Sequence, residues 1–271
     1  MIAKTGRKGA DHASPVGDML VDTHVHLNSP EFAGDRAEVM ARARAAGVQR
    51  FLCPGYDLPS SRAVVELAAA VGGVVAAVGV HPHDARTYDD AAEKELESML
   101  AGGRVVAVGE TGLDYHYDHS PRHAQQVALS RQLALARRHR VAVVVHNRES
   151  DADMVRILAA EGAGLRIVLH AFTGSEELAA LHPRLDLFFG IGGFLTFRNH
   201  RLAQQVVRLP REALLLETDA PYLSPHPLRG RRNEPAHVEI VARRLAELLG
   251  MDVDRVADLT TQNFRRFLDE S

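Results

Sequence analysis

The sequence predicts a single α/β domain built as a (β/α)8 barrel, and three observations point there. From Met19 onward, short Val/Leu/Ala-rich runs alternate with longer segments of helical periodicity, as expected of parallel strands buried on both faces by crossover helices. Eight such runs fit within about 250 residues, the usual length of such a barrel. The first run ends in His24 and His26, not in the Gly-x-Gly-x-x-Gly fingerprint that opens a doubly wound dinucleotide-binding sheet.

Met19–Thr23 is the first predicted strand, and a helical stretch comes next at Asp35–Ala46. Arg50–Cys53 leads into Ser60–Val71, whose apolar end meets Gly72 and Gly73 and turns into the strand Val74–Gly79. The helix Ala91–Leu100, the strand Val105–Gly109 and the helix Arg122–Arg138 continue the alternation. Ala142–Val145 pairs with Ala152–Glu161, Arg166–Leu169 with Glu176–Leu181, and Leu187–Gly190 with His200–Arg208. The eighth strand, Ala213–Glu217, precedes two helical stretches, Ala236–Leu249 and Val253–Phe267, so extra C-terminal helices are expected.

The chain has 271 residues, 46% apolar and 25% charged, enough to bury a substantial core. A formal net charge of −3 means that any polyanion must be gripped locally. Cys53 is the single cysteine, which excludes an internal disulfide and suits a reducing, cytoplasmic compartment. The longest uncharged run, Leu67–Val80, is shorter than the roughly 20 residues of a membrane span, so no membrane role is expected. Lys4, Arg7 and Lys8 precede no apolar stretch, which argues against a secretory signal. Residues 1–17 are expected as a disordered tail and residues 18–271 as the barrel domain.

In barrel enzymes the site lies at the carboxyl ends of the strands, so the residues just past each apolar run carry the chemistry. The first strand gives His24 and His26, the third His81 and His83, the fourth Glu110, the fifth His146, the sixth His170 and the eighth Asp219. A lone histidine in such a place is most often solvated or hydrogen-bonded. Imidazole and carboxylate groups at six of eight strand ends converge on one rim. They are too many for one tetrahedral catalytic ion, yet suit two divalent ions sharing a carboxylate. Of the remaining histidines, His116, His119 and His123 follow Asp114 in a loop, and most of the set are expected to be ordinary surface residues.

These residues fall in the motifs Asp22-Thr23-His24-Val25-His26-Leu27, Val78-Gly79-Val80-His81-Pro82-His83, Gly109-Glu110-Thr111-Gly112-Leu113-Asp114-Tyr115 and Val145-His146-Asn147-Arg148-Glu149. His170-Ala171-Phe172-Thr173-Gly174-Ser175, Glu217-Thr218-Asp219-Ala220-Pro221-Tyr222-Leu223 and Arg231-Arg232-Asn233-Glu234-Pro235 complete the series. In this order they resemble the TatD family of metal-dependent hydrolases, from Leu20 to about Phe267. The resemblance implies a TIM barrel and a metal-dependent deoxyribonuclease activity. It further implies that His24, His26, Glu110 and Asp219 hold one ion and that Glu110, His146 and His170 hold the other, with Glu110 bridging. Asn28 stands where the family usually has an acid and Ala171 where cysteine is frequent, which touches substrate preference and not the expected ligands.

The expected chemistry is phosphodiester hydrolysis, with Asp219 orienting the attacking water and accepting its proton. His81 is expected to donate a hydrogen bond to a phosphate oxygen. Arg148, Arg232, Asn233 and Tyr222 are candidate substrate contacts, and Phe194 and Phe197 could stack bases or simply pack. Two divalent ions are expected, zinc first and manganese or magnesium after it. The expected partner is single-stranded DNA, attacked from its ends. A D-aminoacyl-tRNA deacylase or a small-ring amidohydrolase could use the same centre, and a non-enzymatic metal-carrying partner protein is the third reading. Glu110 stands where the amidohydrolase design places a carboxylated lysine, which favours the nuclease.

Overall fold

The structure is a computed structural model that describes residues 20–198 and 200–270. The tail predicted at residues 1–17 lies outside the described residues. All eight predicted strands form and pair in chain order in one parallel sheet. They are β1 (Leu20–Asp22), β2 (Val48–Pro54), β3 (Val74–Val78), β4 (Val105–Asp114), β5 (Ala142–Arg148), β6 (Arg166–Leu169), β7 (Asp186–Ile191) and β8 (Leu214–Leu216).

The seam between β8 and β1 is joined by single bonds in place of a regular ladder. Thr23 N–H donates to Leu216 O at 2.9 Å and His26 N–H to Ala220 O at 2.8 Å. The buried Asp22 carboxylate accepts from Thr218 N at 2.9 Å and from Thr218 Oγ1 at 2.6 Å, stapling the two edges together. Both edges of the sheet are thereby covered.

Around the sheet run α1 (Arg36–Ala45), α2 (Leu58–Ala70), α3 (Asp90–Leu100), α4 (Arg122–His139), α5 (Asp151–Glu161), α6 (Glu176–Ala179) and α7 (Leu202–Gln205). The extra C-terminal helices are α8 (Val238–Leu249) and α9 (Val253–Leu268). Helix α2 begins earlier than predicted because Asp57 accepts from Ser60 N–H in a reciprocal cap. The stretch predicted at His200–Arg208 is one α-turn followed by a 3-10 turn, Val206–Arg208, and α6 is a single turn. No helix among the described residues is long and apolar enough to cross a membrane.

Side-chain alternation divides the core in two. Phe51, Cys53, Val143, Val145, Ile167, Leu169, Leu214 and Leu216 belong to the large shell between strands and helices. Their neighbours Val21, Leu52, Ala77, Ala107, Val144, Val168, Phe188 and Leu215 form a separate interior cluster. Phe264 and Phe267 of α9 enter that cluster, with the Phe267 ring 5.4 Å from Phe188. The residues one step further along the strands rise into the next layer, where the polar site begins.

Four strands outrun their predicted ends, β2 and β7 by one residue and β4 and β5 by several. Pairing resumes past a register shift between Val108 and Thr111, so β4 reaches Asp114 and β5 reaches Arg148. Glu110 and His146 therefore sit inside strands, more rigidly than loop residues would.

Candidate metal centre

His146 and His170 stand two residues beyond the interior Val144 and Val168, so alternation directs both rings into the barrel mouth. Glu217 comes after Leu215 in the same way, and Gly190 makes room for it, since a Cβ there would overlap the Glu217 carboxylate. Glu110 is placed by the register shift in β4. Its neighbour Gly109 has φ 143° and lies so close to the Val144 backbone that no side chain fits. His24 and His26 lie on the segment that crosses from β1 to the β8 edge. Asp219 adopts a left-handed backbone, φ 57°, and its N–H donates to His24 O at 2.9 Å.

These placements bring His24, His26, His81, Glu110, His146, His170 and Asp219 to one floor, while His83 turns to Asp114. Glu110 Oε1 is 2.8 Å from His170 Nε2, 3.2 Å from His146 Nδ1 and 3.4 Å from His81 Nε2. Glu110 Oε2 is 3.4 Å from His24 Nε2, while Asp219 Oδ1 is 3.4 Å from His26 Nε2. The His24 and His26 Nε2 atoms are 3.3 Å apart. Above this floor opens a cleft of about 1160 Å³.

Burial, followed by the neighbouring His170, pushes the His24 ring down to about 4, so it is neutral at pH 7 with a lone pair to give. Burial also brings His81 down to about 4. Burial pushes Glu110 up, yet His170, His81 and His24 outweigh it and hold the carboxyl well below its ordinary range. Burial acts on Asp219 in the same sense, and its hydrogen bond to His26 together with the nearby His24 outweighs it and holds the carboxyl low. His24 and His81 are thus neutral imidazoles facing carboxylates, the state that metal binding requires of an imidazole ligand.

Three overlapping groups have ligand atoms within 4.8 Å of one another: His24, His26 and Asp219; His24, Glu110 and His170; His81, Glu110 and His146. Glu110 belongs to two of them. The outward Nδ1 atoms of His24, His26 and His170 have no hydrogen-bond partner, and no lysine or arginine is paired with Glu110 or Asp219 among the described residues. A cluster of buried lone pairs without a compensating cation fits divalent metal ions. His81 differs from the rest. Its Nδ1 accepts from His83 N–H at 3.2 Å, so in the neutral ring Nε2 carries the proton and acts as a donor.

Two residues escaped the sequence analysis. The buried Asp114 Oδ2 is 3.0 Å from His146 Nε2 and 3.1 Å from His83 Nε2. Burial pushes the Asp114 carboxyl up, yet those histidines outweigh it and hold the group far below the usual range. In turn, burial lowers His146, but hydrogen bonds to Asp114 and Glu110 outweigh it and raise the ring to about 9. Asp114 lies four residues past Glu110 on one strand, hence on the same face, and that spacing was the available signal. Glu217 is buried with Oε1 accepting from Ala171 N–H at 2.5 Å and Oε2 unpartnered. Burial pushes its carboxyl well above the ordinary range.

The substrate candidates separate. Arg148 and Tyr222 line the cleft, Tyr222 with its ring 5.9 Å from His26 and Arg148 with no carboxylate paired to it among the described residues. Arg232 also lines the cleft but spends its donors on Asp35, Glu234 and Glu31 O. Asn233 is fully buried and donates to Thr218 O and Tyr222 O, so it holds the turn after Asp219. Phe194 and Phe197 line the cleft too, and the Arg229 guanidinium lies 4.0 Å over Phe197.

Residues 21–269 match the family described as TatD related DNase. The chain belongs to the TatD family. It is 40% identical to the uncharacterized metal-dependent hydrolase YabD of Bacillus subtilis, over 92% of this chain and 98% of that one. It is 36% identical to the 3'-5' ssDNA/RNA exonuclease TatD of Klebsiella pneumoniae, over 91% and 96%. The structure of YJJV, a TatD homologue from Escherichia coli, superposes with a TM-score of 0.87 at 31% identity, covering 92% and 98%. The protein is accordingly a TatD-type metal-dependent hydrolase with the family's barrel and a His/Glu/Asp floor able to hold metal.

Proposed function

We propose that this TatD protein hydrolyses phosphodiester bonds of single-stranded DNA from its ends, in the cytoplasm, at a centre of two divalent ions. Glu110 carries the reading: beneath an open cleft, one buried carboxylate meets His24 through Oε2 at 3.4 Å and His170 and His146 through Oε1 at 2.8 and 3.2 Å. Such a carboxylate suits a bridge between two ions. The exonuclease name of the Klebsiella relative supports the same substrate class.

His24, His26, Glu110 and Asp219 would hold one ion and Glu110, His146 and His170 the other, with zinc preferred over manganese or magnesium for this donor set. When bound, the ions supply Lewis acidity toward a phosphodiester oxygen and toward water. Asp219, a carboxylate at the cleft floor, orients the attacking water and accepts its proton. His81 donates its Nε2–H to a phosphate oxygen, in keeping with its tautomer. Arg148 and Tyr222 contact the strand, while Arg232 and Asn233 position the loop that carries Tyr222.

The test is a panel of single-stranded DNA, double-stranded DNA, RNA and misacylated D-aminoacyl-tRNA, each with zinc-, manganese- or magnesium-reconstituted protein. Release of mononucleotides from single-stranded DNA, abolished by EDTA, is expected. Asp219→Asn should lower kcat about 10³-fold while metal stays bound. Inactivity on every nucleic acid overturns the reading, and deacylation alone replaces it with the tRNA activity.

A further inference from the structure

We propose that Tyr117 and Arg148 form a stacking shelf that receives an unpaired nucleobase beside the metal centre. The inference rests on the nuclease reading. Tyr117 and Tyr222 are the exposed large aromatic side chains among the described residues, at 51% and 53%, and both line the cleft. Tyr222 stands beside His26, and Tyr117 beside His83, their rings 5.5 Å apart.

The Arg148 guanidinium lies 4.7 Å from the Tyr117 ring centre. His119 lies parallel to the same ring, 5.5 Å away at 9° between planes, and His83 meets His119 edge-on at 4.7 Å. His119 and the Arg148 guanidinium thus both lie against the Tyr117 ring, and no carboxylate is paired with that guanidinium among the described residues. A guanidinium backed by an aromatic ring offers a flat face for a base and N–H donors for the flanking phosphate. Every base has a π-face, so this recognition is indifferent to sequence but requires an unstacked strand.

The shelf is also built to stay in place. Asp114 Oδ1 accepts from His116 N–H at 3.1 Å and Tyr117 N–H at 2.9 Å, while Oδ2 holds His83 and His146. One buried carboxylate therefore fixes the loop carrying Tyr117 and the imidazole facing Glu110. The Tyr115 N–H donates to Arg148 O at 2.9 Å, tying the loop to the end of β5. A base on the shelf thus sits at a fixed offset from the reacting phosphate, with little ordering left to lose on binding.

The test uses metal-loaded full-length protein and a short oligothymidylate. Tyr117→Ala and Arg148→Lys, which keeps the charge and removes the plane, should each raise KM about tenfold, with kcat changed less than about twofold. Tyr117→Phe should behave as wild type. On an oligonucleotide whose terminal residues are abasic, wild type should fall to the level of the two variants. Wild-type KM in both variants on normal DNA overturns the shelf, as does a KM penalty that persists on the abasic strand. Wild-type protein that cuts single-stranded DNA while the variants match it removes the shelf and leaves the nuclease reading standing. Wild-type protein that neither binds nor cuts the strand overturns both.

Discussion

Asp114 shows how one side chain can serve a centre without facing its substrate. Its carboxylate meets His146 at Nε2 and leaves Nδ1 directed at Glu110, which fixes the ring's tautomer and orientation. Asp114→Asn keeps the shape but removes the charge, and it should weaken metal affinity about 10- to 100-fold. Titration with a chelating indicator measures this, and unchanged affinity would exclude the orienting role. Glu217 presents the opposite case: burial beside His170, 3.8 Å from its Nδ1, pushes the carboxyl well above its ordinary range. Both are acids at strand ends, and burial against partner count decides which way each carboxyl is shifted.

Among the elements, the barrel separates stability from chemistry along its axis. Small inward residues, Ala77, Ala107 and Ala142, leave interior space that Phe188, Phe264 and Phe267 fill. Helix α9 is fastened there by Asn263, whose side-chain amide donates to Arg211 O at 2.8 Å and Leu214 O at 2.9 Å. Phe264 is fully buried. Phe264→Ala should cost about 3–5 kcal/mol of stability through the cavity it leaves. Thermal melts would record the loss, while kcat at a permissive temperature should hold, because the polar site occupies the other end of the strands. A parallel loss of kcat would mean that the two ends are coupled.

Across the molecule, ion pairs between distant elements set the acid limit of the fold. Burial raises Glu93 of α3, yet Arg138 and Arg131 of α4 outweigh it and hold the carboxyl below its ordinary 4.5. Glu234 is held below 4.5 by Arg42 of α1 and by Arg232, against its burial. A depressed carboxylate contributes stability that is fully present above the unfolded value and lost as pH falls through the folded one. The melting temperature should therefore decline below about pH 4.5, and less steeply in a Glu93→Gln, Glu234→Gln protein. Melts from pH 7 to pH 3.5 decide the matter, and identical slopes would assign the decline to other groups.

The eight strands, their order and the set of residues able to meet a metal were legible in the amino-acid order alone. Apolar periodicity is local, and a parallel barrel places every strand's carboxyl end on one rim, so position along the chain implied position in space. Charge state and availability were not legible there, because they depend on the folded chain. Arg232 and Asn233 looked free in the sequence, yet Asp35, Glu234, Thr218 and Tyr222 take their donors. The extension of β4 through Glu110 to Asp114 depends on a register shift against β5 that no single segment encodes. His119, one loop histidine among several in the sequence, acquires its place only through Tyr117 and His83. Hydrogen-bond partners and burial come from segments far apart in the chain, and those contacts turn a set of histidines and acids into a site with defined protons.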